Sequence, residues 1–349
     1  MIQKYRISRD PEHYLAWPDV AMADGGKLLC VFSECDQHAG WREYTQVMLC
    51  ESTDRGRTWT PKRGITCRTS GGETGFWNCA RINRLRDGRH VITIDRIYAK
   101  ESSALPEQCI VYLLFSSDNG ATWTEPIETP ARGIVPDKLI ELDSGRWLLG
   151  THFNDTQFGQ LVQRVWLSDT KGERWEGPFI VGKVDGLNLC EVSILSIEGN
   201  TVVAFMRENS MVGRDCYKSI SRDGGRSWTA PAQFPLPCCH RPTAGFLRDG
   251  RIFITYRFIQ GGARKSGLAQ QLHGAVSDRD SALAERRSHA WTRIMPIDYD
   301  RATWCDLGYS GWVQFEDGEI YIVNYIKDDS PEKAQIRGYS MTPQDICIG

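Results

Sequence analysis

The feature that most constrains this chain is a turn written three times. STDRGRTW (Ser52 to Trp59), SSDNGATW (Ser116 to Trp123) and SRDGGRSW (Ser221 to Trp228) all read Ser-x-Asp-x-Gly-x-x-Trp. A worn copy, SDTKGERW, ends at Trp175 with Thr170 where the aspartate should be, and Trp291 in HAWTRI ends a fifth, eroded one. Successive tryptophans are 64, 52, 53 and 63 residues apart. That spacing suits one four-stranded unit, slightly longer than propeller repeats of about 40–50 residues. The motif has a local physical role. Ser and Asp bond nearby backbone N–H groups, Gly supplies positive φ, and Trp anchors the turn. Trp59, Trp123 and Trp228 are expected to be buried at peripheral turns. A carboxylate needed once per repeat reads as a turn former rather than a catalyst.

A second repeat runs out of phase with the first. VAMADGGKLLCVF, INRLRDGRHVITI, LIELDSGRWLLGT, VSILSIEGNTVVAF, GFLRDGRIFITY and WVQFEDGEIYIVNY each place a Gly-containing turn between apolar, β-rich runs. Six hairpins, each followed by a third strand that enters the Trp turn, predict an all-β chain. The fold expected is a six-bladed β-propeller with four-stranded antiparallel blades, in a single domain over 1–349. The QKYRIS segment is expected to close the ring beside the AQIRGYSM strand. One helical turn, Ala282 to Arg287, is expected inside blade 5.

Composition narrows the function. A net charge of −2 gives no basic excess for nucleic acid, and no apolar run approaches the ~20 residues that cross a membrane. MIQKYRISRD lacks the apolar core of a signal peptide, so a cytoplasmic location is expected. Twelve scattered cysteines, several inside apolar strands, read as buried free thiols. No Cys/His spacing resembles a metal site, and neither metal nor cofactor is expected. The sequence leaves the oligomeric state open.

Counting about 16 residues across each hairpin pairs the start of the first strand with the end of the second. This pairs Glu191 with Arg207, Arg241 with Arg257, and Tyr309 with Tyr325. It also brings Asp137 near His152, Arg81 near Asp95 and Arg96, and Trp17 and Asp19 near Ser33 and Glu34. In a propeller these pairs collect on one rim, where a small-molecule site belongs. Arginines there suit an anionic ligand, because a guanidinium matches a carboxylate through two hydrogen bonds.

The Ser-x-Asp-x-Gly-x-x-Trp turns resemble the Asp-boxes, or BNR repeats, of the sialidase (neuraminidase) superfamily. The resemblance implies a glycoside hydrolase acting on a terminal acidic sugar or oligosaccharide. Its motifs carry over onto Glu191 and Arg207 in CEVSILSIEGNTVVAFMRE, and onto Tyr309 and Ser310 in LGYSGWVQ. Tyr309 takes the place of the nucleophile, with Glu191 as its base. The resemblance gives Arg257 as a carboxylate ligand, with Arg241 or Arg264 as alternatives. The acid/base group falls in SECDQHAGWREY, where Asp36 is the first candidate, ahead of Glu34 and Glu43. Where the family opens blade 1 with an arginine, this chain has Ala16. Either Arg81, Arg96 or Arg241 rebuilds the clamp, or the sugar is not a sialic acid. Two further readings stay open. One is a lyase or hydrolase on uronate glycans using His152, His240 and Tyr309; the other is a sugar-binding propeller without catalysis.

Overall fold

The computed structural model describes residues 2–38, 42–69, 75–99, 104–260, 269–329, 333–342 and 345. Their strands form six antiparallel sheets. Blade 1 comprises Tyr14–Met22, Leu28–Cys35, Thr45–Ser52 and Arg63–Gly64. The innermost strands of blades 4, 5 and 6 are Leu189–Glu198, Cys239–Phe246 and Leu307–Gln314. Blade 2 splits its innermost strand into Phe76–Trp77 and Arg81–Arg84, both paired with His90–Ile97. Blade 3 starts with the short strand Ile140–Glu141 beside Trp147–Asp155. Blade 6 takes its fourth strand from the other end of the chain. Gln3–Ser8 pairs antiparallel with Gln335–Met341, matching Gln3 with Ser340 and Tyr5 with Gly338, as the sequence predicts.

The apolar runs lack polar alternation because both faces of each blade are covered. In the second strand of blade 5, Ile252, Ile254 and Tyr256 pack toward blade 4, whereas Phe253 packs toward blade 6. The strand period of two therefore splits one run between two cores. Six such cores lie between successive blades, including the one that joins blade 6 back to blade 1. The hairpin glycines Gly88, Gly145, Gly250 and Gly318 have φ of 89°, 84°, 85° and 93°. A side chain there would be strained, which explains the recurrent Asp-Gly and Ser-Gly pairs.

The repeated turns follow one hydrogen-bond plan. Ser52, Ser116 and Ser221 each donate to the Asp two residues on at 2.8 Å. Each also accepts from the glycine N–H four residues on, at 2.8–2.9 Å. The aspartates then accept from the backbone N–H that precedes the tryptophan, at 2.9–3.0 Å. In the worn copy Thr170 takes over, accepting from Arg174 N–H at 2.8 Å. Hydrogen bonds centred on Thr58 and Thr122 hold the Asp54 and Asp118 carboxyls down to about 2. These carboxylates are committed to their turns. Trp59, Trp123 and Trp228 are half-buried rather than buried. Trp59 and Trp228 reach back to donate to the glycine carbonyls of their own turns, at 3.0 and 2.9 Å, which leaves part of each ring at the surface.

The turns also join blades. Gly56 O accepts from the Tyr321 hydroxyl of blade 6 at 2.7 Å, and a Cβ on Gly56 would lie 2.2 Å from that ring. The helix of blade 5 is Arg279–Leu283, earlier than the sequence suggests, because Asp278 caps it by accepting from Ser281 N–H. Every cysteine among the described residues is a free thiol, and all but Cys67, Cys238 and Cys305 are buried.

Replacing Trp228 with Ala should cost about 1–3 kcal/mol in urea unfolding, the range for a ring that loses partial burial and one hydrogen bond. Thr170→Asp should restore the carboxylate of the worn turn and raise the unfolding midpoint. A fall in that midpoint would show that Thr170 is not the aspartate's stand-in.

Candidate active site

The 16-residue count is off by one, for a structural reason. Cys190, His240 and Gly308, not their successors, pair with Arg207, Arg257 and Tyr325. Ala16 likewise pairs with Ser33 and Leu15 with Glu34. A β-bulge follows each time, and its first residue is left-handed: Trp17 (φ 53°), Glu191 (46°), Arg241 (50°) and Tyr309 (50°). Val135 (φ 49°) does the same in blade 3, between the Ile134–His152 bridge and Asp137. Non-glycine residues rarely adopt this conformation. The bulge turns each of these side chains out of the regular strand alternation. Blade 2 has a gap at Asn78 to Ala80 instead, so Arg81 pairs with Thr93 and Trp77 with Arg96.

This geometry joins blades 4 and 6. The Tyr309 hydroxyl donates to Glu191 Oε1, although 118 residues separate them. Arg207 Nη1 donates to the same oxygen at 2.7 Å, and its Nη2 donates to Asn209 at 2.5 Å. Glu191 Oε2 is buried with no hydrogen-bond partner. Burial pushes the Glu191 carboxyl up. The charges of Arg207 and Arg257, with hydrogen bonds from Arg207 and Tyr309, hold it well below the usual carboxylate range. The Arg257 guanidinium sits 5.2 Å from the Tyr309 ring centroid. Its Nη1 donates to Leu307 O, but Nε and Nη2 are buried and unbonded.

Several residues of this rim do other work. Arg81 is fully buried and spends its guanidinium on Pro18 O, Tyr309 O, Ser310 O and Thr243, beside Asp19 at 3.4 Å. Arg241 donates to Val192 O at 2.8 Å and Pro136 O at 3.0 Å. Both tie inner strands across the axis instead of presenting donors to a ligand. Asp137 and Asp95 are buried, and burial pushes the Asp95 carboxyl up to about 6. His152 accepts from Glu191 N–H through Nδ1 at 3.2 Å, so it positions the glutamate's backbone. His240 is buried beside Arg257 in the register. Arg96 lies over the Trp77 and Tyr98 rings at 4.6 and 5.5 Å and has no carboxylate partner among the described residues. Arg264 falls outside the described residues.

Asp306, one residue before the inner strand of blade 6, carries no sequence motif, yet it is a hub. It accepts from the Tyr325 hydroxyl at 2.8 Å and from Tyr14. His38 Nδ1 lies 2.5 Å from its Oδ2 and Arg257 Nη1 lies 3.8 Å from its Oδ1. Asp36 sits on the same loop as His38. Its Oδ2 accepts from Glu43 N–H at 3.3 Å, and its carbonyl accepts from Lys333 at 2.9 Å. Glu43 is exposed. Glu34 is tied to Tyr44 and Lys62. Asp10, His13 and Glu34 bring cation-ligating atoms within 4.8 Å of one another, and the Lys62 ammonium already bonds Asp10 and Glu34.

His152 links this site to pH. Burial, together with the nearby Arg207 and Arg241, lowers it to about 4. The fold therefore keeps it neutral where an unfolded chain binds a proton. Stability should fall as pH drops from about 6.5 toward about 4, because the unfolded state gains that proton first. His273 is lowered by burial to about 4 and adds to the same trend. His152→Gln should remove its own share, giving a smaller drop in the urea midpoint between pH 7 and pH 5; an unchanged drop would show that His152 is protonated in the fold.

Comparison with known proteins agrees with the architecture. Residues 96–322 match the BNR repeat-like domain family. A sialidase from Clostridium perfringens is 20% identical over 226 residues, covering 56% of this chain and 57% of that protein. The match thus spans little more than half of that relative's length. Among solved structures, a Dyadobacter fermentans protein of unknown function superposes with a TM-score of 0.76 at 20% identity, covering 97% of this chain and 98% of the other. The Hadza microbial sialidase Hz136 gives a TM-score of 0.67 at 16% identity, over 95% and 66%. An α-L-arabinofuranosidase of Fusarium graminearum gives 0.67 at 11%, over 99% of both chains. These identities establish the sialidase-like six-bladed fold. With the family match spanning well over half of its length, the chain belongs to the BNR repeat-like domain family.

Proposed function

We propose that this protein is an exo-acting glycoside hydrolase that removes a terminal acidic sugar, with Tyr309 as nucleophile. The observation that carries this reading is the Tyr309–Glu191–Arg207 relay. Phenols are poor nucleophiles near neutral pH. A carboxylate that already accepts the phenolic hydrogen bond is placed to take its proton as the anomeric carbon is attacked. A neutral tyrosine also spares an anionic sugar the approach of a carboxylate, and tyrosine nucleophiles are a known departure from the two-carboxylate scheme.

Arg257 favours an acidic sugar, because its two unbonded nitrogens suit a carboxylate. With Arg81 and Arg241 spent on backbone carbonyls, Arg96 is the remaining cation of the three that could replace the missing blade 1 arginine. Arg96 lies over the Trp77 and Tyr98 rings and is linked to neither Arg257 nor Glu191 by any hydrogen bond among the described residues. Ala16, buried with no polar group to offer, leaves the position of the family's first arginine apolar. This favours acidic sugars beyond the ordinary sialosides, uronides included.

The test is a panel of sialosides and uronides with products read by mass spectrometry. Hydrolysis should add water across the glycosidic bond; an unsaturated product absorbing in the near ultraviolet would instead mean a lyase. On the best substrate, Tyr309→Phe should lose turnover by orders of magnitude while stability changes by about 1–2 kcal/mol at most. Near-normal turnover would rule out the tyrosine nucleophile. Arg257→Met should raise KM about 10–100-fold, the loss of a charged hydrogen-bond donor worth about 1.5–3 kcal/mol.

A further inference from the structure

The hydrolase reading requires a proton for the departing oxygen, and the family resemblance puts its donor on the loop that follows the first hairpin. On that loop Asp36 is tied to the backbone through its N–H, one carboxylate oxygen and its carbonyl, while its Oδ1 is buried without a hydrogen-bond partner. Its N–H donates to Tyr44 O at 3.4 Å, its Oδ2 accepts from Glu43 N–H, and its carbonyl holds Lys333. His38, two residues later, turns toward blade 6. Its ring stands edge-on to Trp17 at 5.4 Å and to Tyr14 at 5.8 Å, and 6.2 Å from Tyr325, which is itself 6.3 Å from Tyr309. Arg42 Nη2 donates to the His38 carbonyl at 2.7 Å and fixes the loop from below. Asp306 Oδ2 lies 2.5 Å from Nδ1. Nε2 has no protein partner among the described residues.

We propose that His38, oriented by Asp306, is the acid/base catalytic residue of this site, in the role that the family resemblance gives to Asp36. The inference rests on the glycosidase reading. In the first step Tyr309 Oη bonds to the anomeric carbon as the bond to the leaving oxygen breaks. The phenolic proton passes to Glu191, and the leaving oxygen takes the Nε2 proton of the His38 imidazolium. In the second step neutral His38 takes a proton from water as the water oxygen bonds to the anomeric carbon. The bond to Tyr309 breaks, and Glu191 returns its proton to the phenolate. Both groups end as they began.

The arrangement around the imidazole suits this cycle. An imidazole that faces a carboxylate with one nitrogen presents the other nitrogen to the reaction. Asp306 is kept ionised: burial pushes its carboxyl up, but His38 and Arg257 hold it well below the usual range. The titratable and charged groups around His38 are Asp306 from blade 6, Tyr14 from blade 1, Tyr325 from blade 6, Arg42 from its own loop, and Arg257 from blade 5 through Asp306.

The experiment compares two glycosides of the same acidic sugar, one with a dinitrophenyl and one with a simple alkyl leaving group. General acid catalysis is worth about 10²–10⁴-fold where the leaving group needs a proton. His38→Gln should lower kcat/KM by about 100-fold or more on the alkyl glycoside and by less than about 10-fold on the dinitrophenyl one. Asp36→Ala should affect both alike. Asp306→Asn keeps the imidazole but removes the carboxylate beside Nδ1, so kcat/KM should again fall further on the alkyl glycoside than on the dinitrophenyl one. Equal losses on both substrates for His38→Gln or for Asp306→Asn, or a leaving-group dependence in Asp36→Ala instead, would each overturn the proposal. Tyr309→Phe, which should fail on both glycosides, reports separately on the nucleophile.

Discussion

The site depends on a backbone conformation that side chains avoid. Trp17, Glu191, Arg241 and Tyr309 all begin a bulge at the same point of their inner strands, with φ between 46° and 53°. Each such residue costs about 1–3 kcal/mol of local strain and persists only where its surroundings enforce it. Here the enforcement is visible. His152 holds Glu191 N–H, Arg81 holds the carbonyls of Tyr309 and Ser310, and Arg241 holds Val192 O. Without the bulge, regular alternation would send Glu191 and Tyr309 toward neighbouring strands instead of toward each other.

The second layer of the site is charge. Glu191 and Asp306 are two carboxylates withdrawn from water; Arg207 and Arg257 hold Glu191 ionised, and His38 and Arg257 hold Asp306 so. Burying a charge without its partner is costly, whereas a hydrogen-bonded pair is tolerated. Removing Arg257 would therefore disturb both ends of the site, while Arg207 serves the Glu191 end alone. Glu191 Oε2 and Arg257 Nε and Nη2 are among the buried polar atoms of this network left without a hydrogen-bond partner. Unpaired buried polar groups of this kind are where a ligand has most to gain.

Much of this was legible in the residues. The repeated turns and six hairpins gave blade number, and the meeting of Gln3–Ser8 with Gln335–Met341 followed from the need to cover an edge strand. The contact between Glu191 and Tyr309 was readable because both open inner strands of blades that face the axis. The exact pairing was not, because a bulge adds one residue without altering the pattern of residue types. Arg81 and Arg241 read as ligand donors because sequence shows a charge but not the carbonyls it points to. Asp306 and His38 stand on loops with no periodicity, and they acquire meaning only when blades 1, 5 and 6 meet. Asp36 drew attention because of its place in a loop that resembles a family motif, while its neighbour two residues on reaches the site.

The closing of blade 6 by Gln3–Ser8 has a consequence for the order of events during synthesis. The first strand leaves the ribosome some three hundred residues before its partner Gln335–Met341 exists. Until then it must wait unpaired, and the last inter-blade core cannot form. Chains grow from the N-terminus and fold as they emerge, so Glu191 and Arg207 are in place well before Tyr309 is made. A nascent chain therefore lacks the Tyr309–Glu191 contact until blade 6 is made, so the joining of blades 4 and 6 belongs to the last stage of assembly.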